Sequence, residues 1–178
     1  LKMMGIEAVK SSTPAPCRTM IKNGLKIMMN GTEEEVIDYI DECRTKFKTL
    51  PPEEIAFPRT VSNVKKYHSR TDIYSKGTPI HARGALLFNF YIKKNKLDKK
   101  YSLIGNGEKI KFIYLKKPNI IQENVVSFIQ DFPTELNLDK YIDYDLQFEK
   151  SFLEPLKAIL DAIGWNVEKT VNLELFFT

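Results

Sequence analysis

A chain of 178 residues with 43% hydrophobic positions has the length of one domain and the apolar content for a real core, which argues against disorder. No run approaches the roughly eighteen apolar residues of a membrane span, and the start lacks the basic, apolar, small-residue order of a signal sequence, so a cytoplasmic protein with no membrane partner is expected. The formal net charge of +4 conceals a split, because residues 59–117 carry fifteen Lys or Arg against three acids while the remainder carries twelve against twenty. A local excess of that kind commonly faces a polyanion, where each cation near a phosphate releases condensed counterions; a solvated basic loop is the plainer alternative.

In chain order, Gly5 to Lys10 reads as a short strand, so the chain is expected to begin in mid-domain. Ser11, Ser12, Thr13 and Pro14 follow as cap and first turn of a helix whose face is Cys17, Met20, Ile21, Leu25 and Met28, ended by Asn30-Gly31. Thr32 and Glu35 have capping-box spacing before Val36, Ile40, Cys43, Phe47 and Leu50. Two amphipathic helices joined so briefly should pack antiparallel. Cys17 and Cys43 fall on these apolar faces and read as buried, reduced thiols. Pro51 and Pro52 then open an irregular segment that runs through Pro58 into the basic stretch.

Within that stretch, Thr78-Pro79 reads as a hydroxyl cap followed by a proline in the first turn. Ile80, Gly84, Leu87, Phe88 and Tyr91 recur at helical spacing behind it, with His81, Ala85 and Asn89 on a second stripe. The N–H groups of that first turn, with Lys76 beside them and Arg83 one turn on, suit a phosphate. Gly84 in the apolar stripe costs about 1 kcal/mol relative to alanine, which points to close approach of another backbone. Asn106-Gly107 signals a turn before a strand at Lys109 to Leu115, with Val125 to Ile129 as its partner. A last helix uses Tyr141, Phe148, Phe152, Leu156, Ile159 and Ile163, with Pro155 kinking or dividing it and Gly164 stopping it. The expectation is an α+β fold, mostly helical, with amphipathic antiparallel helices and a small inserted antiparallel sheet.

The same residues offer little for catalysis. The acids inside the positive stretch, Asp72, Asp98 and Glu108, are scattered, and the clusters Glu33 to Glu35 and Asp139 to Asp145 read as helix starts. No phosphate-binding glycine loop occurs, and His68 and His81 lack a metal-spaced partner. The end, Asn172-Leu173-Glu174-Leu175-Phe176-Phe177, puts four large apolar side chains past a helix stop, where they need either a fold-back onto the chain or a pocket on a partner.

The order of these motifs resembles a known family. Lys2, Gly5, Ile6, Glu7, Val9, Lys10 and Ser11 to Pro14 are similar to the segment that closes the palm and enters the thumb in family B DNA polymerases of T-even-type bacteriophages. Asn63, Val64, Lys66 and Tyr67, then Lys76, Pro79, His81, Arg83, Gly84 and Asn89, resemble that family's thumb motif, and Gly107, Glu108 and Lys109 are similar too. The resemblance implies the end of a palm at residues 1–12, a thumb at 13–164 and a clamp-binding tail at 165–178.

It also implies that Lys10, Lys66, Tyr67, Lys76, His81 and Arg83 hold the backbone of primer-template duplex without reading bases. Leu173, Leu175, Phe176 and Phe177 would dock on the ring-shaped sliding clamp, although the glutamine of many clamp motifs is absent and Asn172 stands nearby. In such a polymerase the fingers, the exonuclease and the palm aspartates that hold magnesium lie upstream, so this part would carry no cofactor and no nucleotidyltransferase activity alone, working with the rest of the chain in the infected host's cytoplasm. A freestanding nucleic-acid-binding module, or a small phosphodiesterase using His68 and His81, are the alternatives.

Overall fold

Two Thr-Pro steps decide where two of the three longest helices begin. The computed structural model describes residues 10–162, in which helix α1 spans Ala15–Asn30 and α4 spans Ile80–Lys94. Pro14 (φ −55°, ψ 139°) and Pro79 (φ −56°, ψ 148°) are themselves the N-caps, and neither helix receives a side-chain cap bond. The hydroxyl caps expected from the sequence are therefore replaced. A residue before proline is barred from helical geometry, and a proline in extended geometry pushes the helix start one place further, so the threonine cannot reach the first turn. The Thr78 hydroxyl donates instead to the Ser75 carbonyl at 2.6 Å.

The described residues divide into two compact units, the first made from residues 10–55 and 144–162 and the second from residues 56–143. In the first, α1 is followed after Gly31-Thr32 by α2 (Glu33–Phe47), whose N-cap Thr32 accepts from Glu35 N at 3.3 Å as the capping spacing predicts. The two helices pack on each other, and the Tyr39 hydroxyl donates to the Met20 carbonyl at 2.8 Å. A short helix α3 (Pro52–Ile55) follows Pro51. The closing helix is continuous in path but changes pitch: α5 (Tyr144–Phe148), a π-helical turn (Glu149–Leu153) and α6 (Glu154–Ala162). Proline at position 155 can give no N–H to the Ser151 carbonyl and its ring would press against it; the wider π-turn accommodates that misfit.

Aromatic packing joins the helices of this unit. Phe47 meets Phe148 edge-on at 5.3 Å, Phe148 stacks on Phe152 at 5.0 Å, and the Arg44 guanidinium lies 4.9 Å from the Phe148 ring. A buried polar seam runs through it, with Cys17 donating to Ser151 Oγ, Ser151 to the Gln147 carbonyl, and Gln147 Nε2 to the Ile55 carbonyl at 2.7 Å. Both cysteines are buried and free, and burial pushes the Cys17 thiol up to about 11, so it stays protonated.

The second unit holds a three-stranded antiparallel sheet in the order β1 (Phe57–Thr60), β2 (Lys109–Tyr114), β3 (Val125–Phe128). β2 falls where alternation predicts it and β3 where its partner strand is expected. β1 occupies a segment expected to be irregular, and it is an edge strand, the place in a sheet where Pro58 and its missing N–H are tolerated. Pairing sets Phe57 opposite Phe112 and Arg59 opposite Ile110. Phe57, Phe112 and Val125 form a cluster with Leu87 of α4, against which Ile80 and Tyr91 also pack. Between β2 and β3, buried Asn119 ties the connection by donating to the Lys116 and Glu123 carbonyls and accepting from Ile121 N.

Helix α4 lies directly on β3. A Cβ added at Gly84 would stand 2.9 Å from Ser127 N and 3.1 Å from the Val126 carbonyl carbon, and closer still to Ser127 Oγ. The backbone approach inferred from the sequence is therefore present, and the contact is sealed by Ser127 Oγ donating to the His81 carbonyl at 2.9 Å. Gly84→Ala should lower stability by about 1–3 kcal/mol through overpacking, read as a fall in thermal midpoint. Adding Ser127→Ala removes only the side-chain part of the clash, so the double variant should recover part of the loss and not all of it.

Candidate nucleic-acid interface

All fifteen cations of residues 59–117 belong to the second unit, and the fold sorts them by what already faces them. A 3-10 turn at Val64–Tyr67 is pinned from both sides: Asn63 Oδ1 accepts from Lys66 N at 3.2 Å, and Val64 N donates to Asn106 Oδ1 at 2.7 Å. Val64 is buried beneath it while Lys65 and Lys66 are exposed, with Lys66 Nζ 5.6 Å from the half-buried Tyr67 ring. The Tyr67 carbonyl then accepts from Ser75 N at 2.8 Å, closing the intervening loop at its base.

Lys76 sits on the next turn. Thr78 N donates to the Ser75 carbonyl at 3.4 Å, and Gly77 between them has φ +83°, a left-handed geometry that glycine takes without the Cβ penalty. Lys76 is therefore held at the exposed apex of a tight turn immediately before α4. The Tyr67 to Ser75 bond couples this turn to the one carrying Lys66, so Lys66, Tyr67 and Lys76 are brought together by backbone.

His81 and Arg83 lie in the first turn of α4 in different circumstances. Burial, and then the charge of Arg59, lower the His81 pKa, so its ring is neutral near pH 7 and offers a hydrogen bond without a positive charge. Arg59 had no distinguishing mark in the sequence; its guanidinium lies 5.3 Å from the Phe112 ring and 5.9 Å from that of Phe57, and donates to the Pro58 carbonyl. Arg83 faces Glu123 across 3.7 Å and lies 5.7 Å from the Tyr74 ring, while the Tyr74 hydroxyl donates to the same carboxylate at 2.8 Å. Much of the Arg83 charge is thus answered within the protein. Neither Tyr74 nor Glu123 carries a sequence signal for this role.

Other cations are engaged too. Lys100 pairs with Glu135, which also accepts from the Tyr101 hydroxyl, and these partners hold the Glu135 carboxyl down to about 2. Lys94 lies 5.8 Å from the Tyr91 ring and 6.0 Å from that of Phe90. Asn89 spends its amide on structure, donating to the Ile104 carbonyl at 2.9 Å and accepting from Ile104 N at 2.8 Å. Lys10 belongs to the first unit, exposed at the turn before α1, where its carbonyl accepts from Thr13 N.

His68 lines a cavity bordered by the 68–73 loop, away from the helix start that carries His81. Among the described residues no three His, Cys, Asp or Glu side chains gather into a cluster that could hold a metal ion. No described helix is long and apolar enough to cross a membrane. Leu173, Leu175, Phe176 and Phe177, with the strand expected at Gly5 to Lys10 save its last residue, lie outside the described residues.

No family model matches the chain. Two relatives do. It is 25% identical over 181 aligned positions, 99% of its own length, to the DNA-directed DNA polymerase of Enterobacteria phage T4, of which it spans 20%. It is 30% identical over 177 positions, 97% of its length, to the DNA-directed DNA polymerase of Escherichia phage RB69, of which it spans 19%. Over nearly its whole length, this chain is related to one segment, about a fifth, of the DNA-directed DNA polymerases of T4-type bacteriophages.

Proposed function

We propose that this chain is the C-terminal part of a phage replicative family B DNA polymerase, comprising the thumb, and that it holds primer-template duplex by its sugar-phosphate backbone. The observation that carries this reading is the pair of exposed lysines, Lys66 and Lys76, on two turns joined by one backbone bond, in a chain whose relatives are DNA polymerases. Lysine heads on rigid turns match phosphates as point charges and are blind to base identity, which suits a surface that must accept any sequence and advance along it. Tyr67 and His81 of the same unit add hydrogen bonding, and Lys10, in the first unit, is a separate candidate contact to the backbone. Arg83, already facing Glu123, acts first by fixing the helix start and only then as a phosphate partner.

Metal-dependent nucleotide transfer is assigned to carboxylates outside this chain, within the whole polymerase in the host cytoplasm, where magnesium is expected. The chain alone should not polymerise. Its apolar terminal segment, Leu173, Leu175, Phe176 and Phe177, supports a docking role on the ring-shaped sliding clamp, with the apolar side chains as anchors.

Three measurements bear on this. Lys76→Ala should weaken duplex binding equally for unrelated sequences and lower the slope of log affinity against log salt by about one, whereas His81→Gln at pH 7.5 should leave the slope where it was. A sequence-dependent loss would overturn the backbone grip. Because the folded His81 pKa lies below its unfolded value, the unfolded chain takes the proton first, and stability is lost as pH falls below about 6.5. The thermal midpoint should therefore drop between pH 7.5 and 5 by more in the parent chain than in His81→Gln. Glu135, titrating far lower, is silent in that window. Deleting residues 173–178 should abolish capture by immobilised clamp while duplex affinity is retained; a clamp interaction that survives the deletion would assign the tail to the fold.

A further inference from the structure

The loop at 68–73 and the facing residues of α4 border an open cavity of about 480 Å³, a volume in the range of small-ligand sites. Its chemistry is divided. Ile73, Leu86 and Phe90 give an apolar wall, and Phe90 is 43% exposed, an unusual state for a large aromatic side chain in this core-rich unit. Arg70 and Lys93 bring positive charge to the same cavity, and Asp72 brings one carboxylate. The loop is preformed: Ser69 Oγ accepts from Thr71 N at 3.3 Å and Asp72 N at 3.2 Å, and the Thr71 hydroxyl donates to Asp72 at 3.2 Å. Tyr91 meets the Phe90 ring edge-on at 5.0 Å and helps fix its orientation.

We propose that this cavity takes a single nucleotide, with its unpaired base against Phe90 and its phosphate between Arg70 and Lys93. A partly exposed aromatic ring, with Lys94 6.0 Å from it, stacks any base, and the two cations that line the same cavity answer the phosphate. The carboxylate of Asp72 repels a bare anion but accepts hydrogens from a base amino group, so the site favours a nucleotide over phosphate alone. The inference rests on the duplex-binding reading when the nucleotide is an overhanging residue of bound DNA, and is independent of it when the nucleotide is free.

The test uses the full 178-residue chain with a blunt DNA hairpin, the same hairpin bearing one unpaired adenine, deoxyadenosine monophosphate, and inorganic phosphate. The overhang should bind about tenfold more tightly than the blunt hairpin. Phe90→Ala, and Phe90→Leu, which keeps the bulk and loses the aromatic face, should erase that difference without changing blunt affinity. Binding of the free nucleotide, lost in the same variants, would identify a free ligand as the occupant. Equal affinity for blunt and overhanging hairpins with no binding of the monophosphate would overturn the site, as would inorganic phosphate binding as well as the nucleotide. If the blunt hairpin fails to bind while the monophosphate still does, the duplex grip falls and the nucleotide site stands.

Discussion

The contact on which the second unit turns is the absence of a side chain at Gly84. It lets α4 rest on the backbone of β3 closely enough for the Ser127 hydroxyl to reach the His81 carbonyl, and so fixes the helix in height and rotation at its first turn. Everything proposed as functional in this unit hangs from that turn. Lys76 precedes it on a glycine-dependent apex, Lys66 is linked to Lys76 through a backbone bond, and Arg83 is anchored by Glu123 and Tyr74. A helix free to rock on the sheet would carry the same residues without holding the distance between their charges.

Charge on a sequence and charge on a surface are different quantities here. The fifteen cations of residues 59–117 are one undifferentiated run until the fold gives several of them internal partners. Arg83 meets Glu123, Lys100 meets Glu135, and Arg59 lies near the Phe57 and Phe112 rings. Lys65, Lys66 and Lys76 are left exposed on short, well-tied turns. Low conformational freedom in their backbones matters as much as their sign, because ordering a flexible segment on DNA would cost free energy that a preformed turn does not.

Much of the architecture was legible in residue order. Helical periodicity placed α1, α2 and α4, alternation placed β2, the next apolar run marked its partner β3, and a lone glycine in an apolar stripe correctly signalled close packing. What failed did so at prolines, where local rules have more than one outcome. Thr-Pro read as a hydroxyl cap, yet proline itself became the cap at both helix starts. The segment through Pro58 reads as irregular, yet Pro58 lies in an edge strand, which has no need of its missing donor. Pro155, by contrast, is expected to kink or divide the last helix, and a π-turn does divide it just ahead of that residue. Of the candidate site, Lys76 stands beside a helix-start signal and Lys66 comes only from the family resemblance, whereas the contacts of Glu123, Tyr74 and Arg59 join distant positions that no local pattern encodes.

The buried polar seam of the first unit has a consequence for the order in which the protein can be made. Cys17 is bonded to a residue 134 positions later, and Ile55 to one 92 positions later. As the chain emerges from the ribosome, α1 and α2 must therefore wait for the whole of residues 56–143 before the helix that packs on Phe47 exists. During that interval the basic unit, whose three strands and α4 pack on one another within residues 56–143, can close early, while the apolar faces of α1 and α2 stay uncovered and open to chaperones or to other nascent chains.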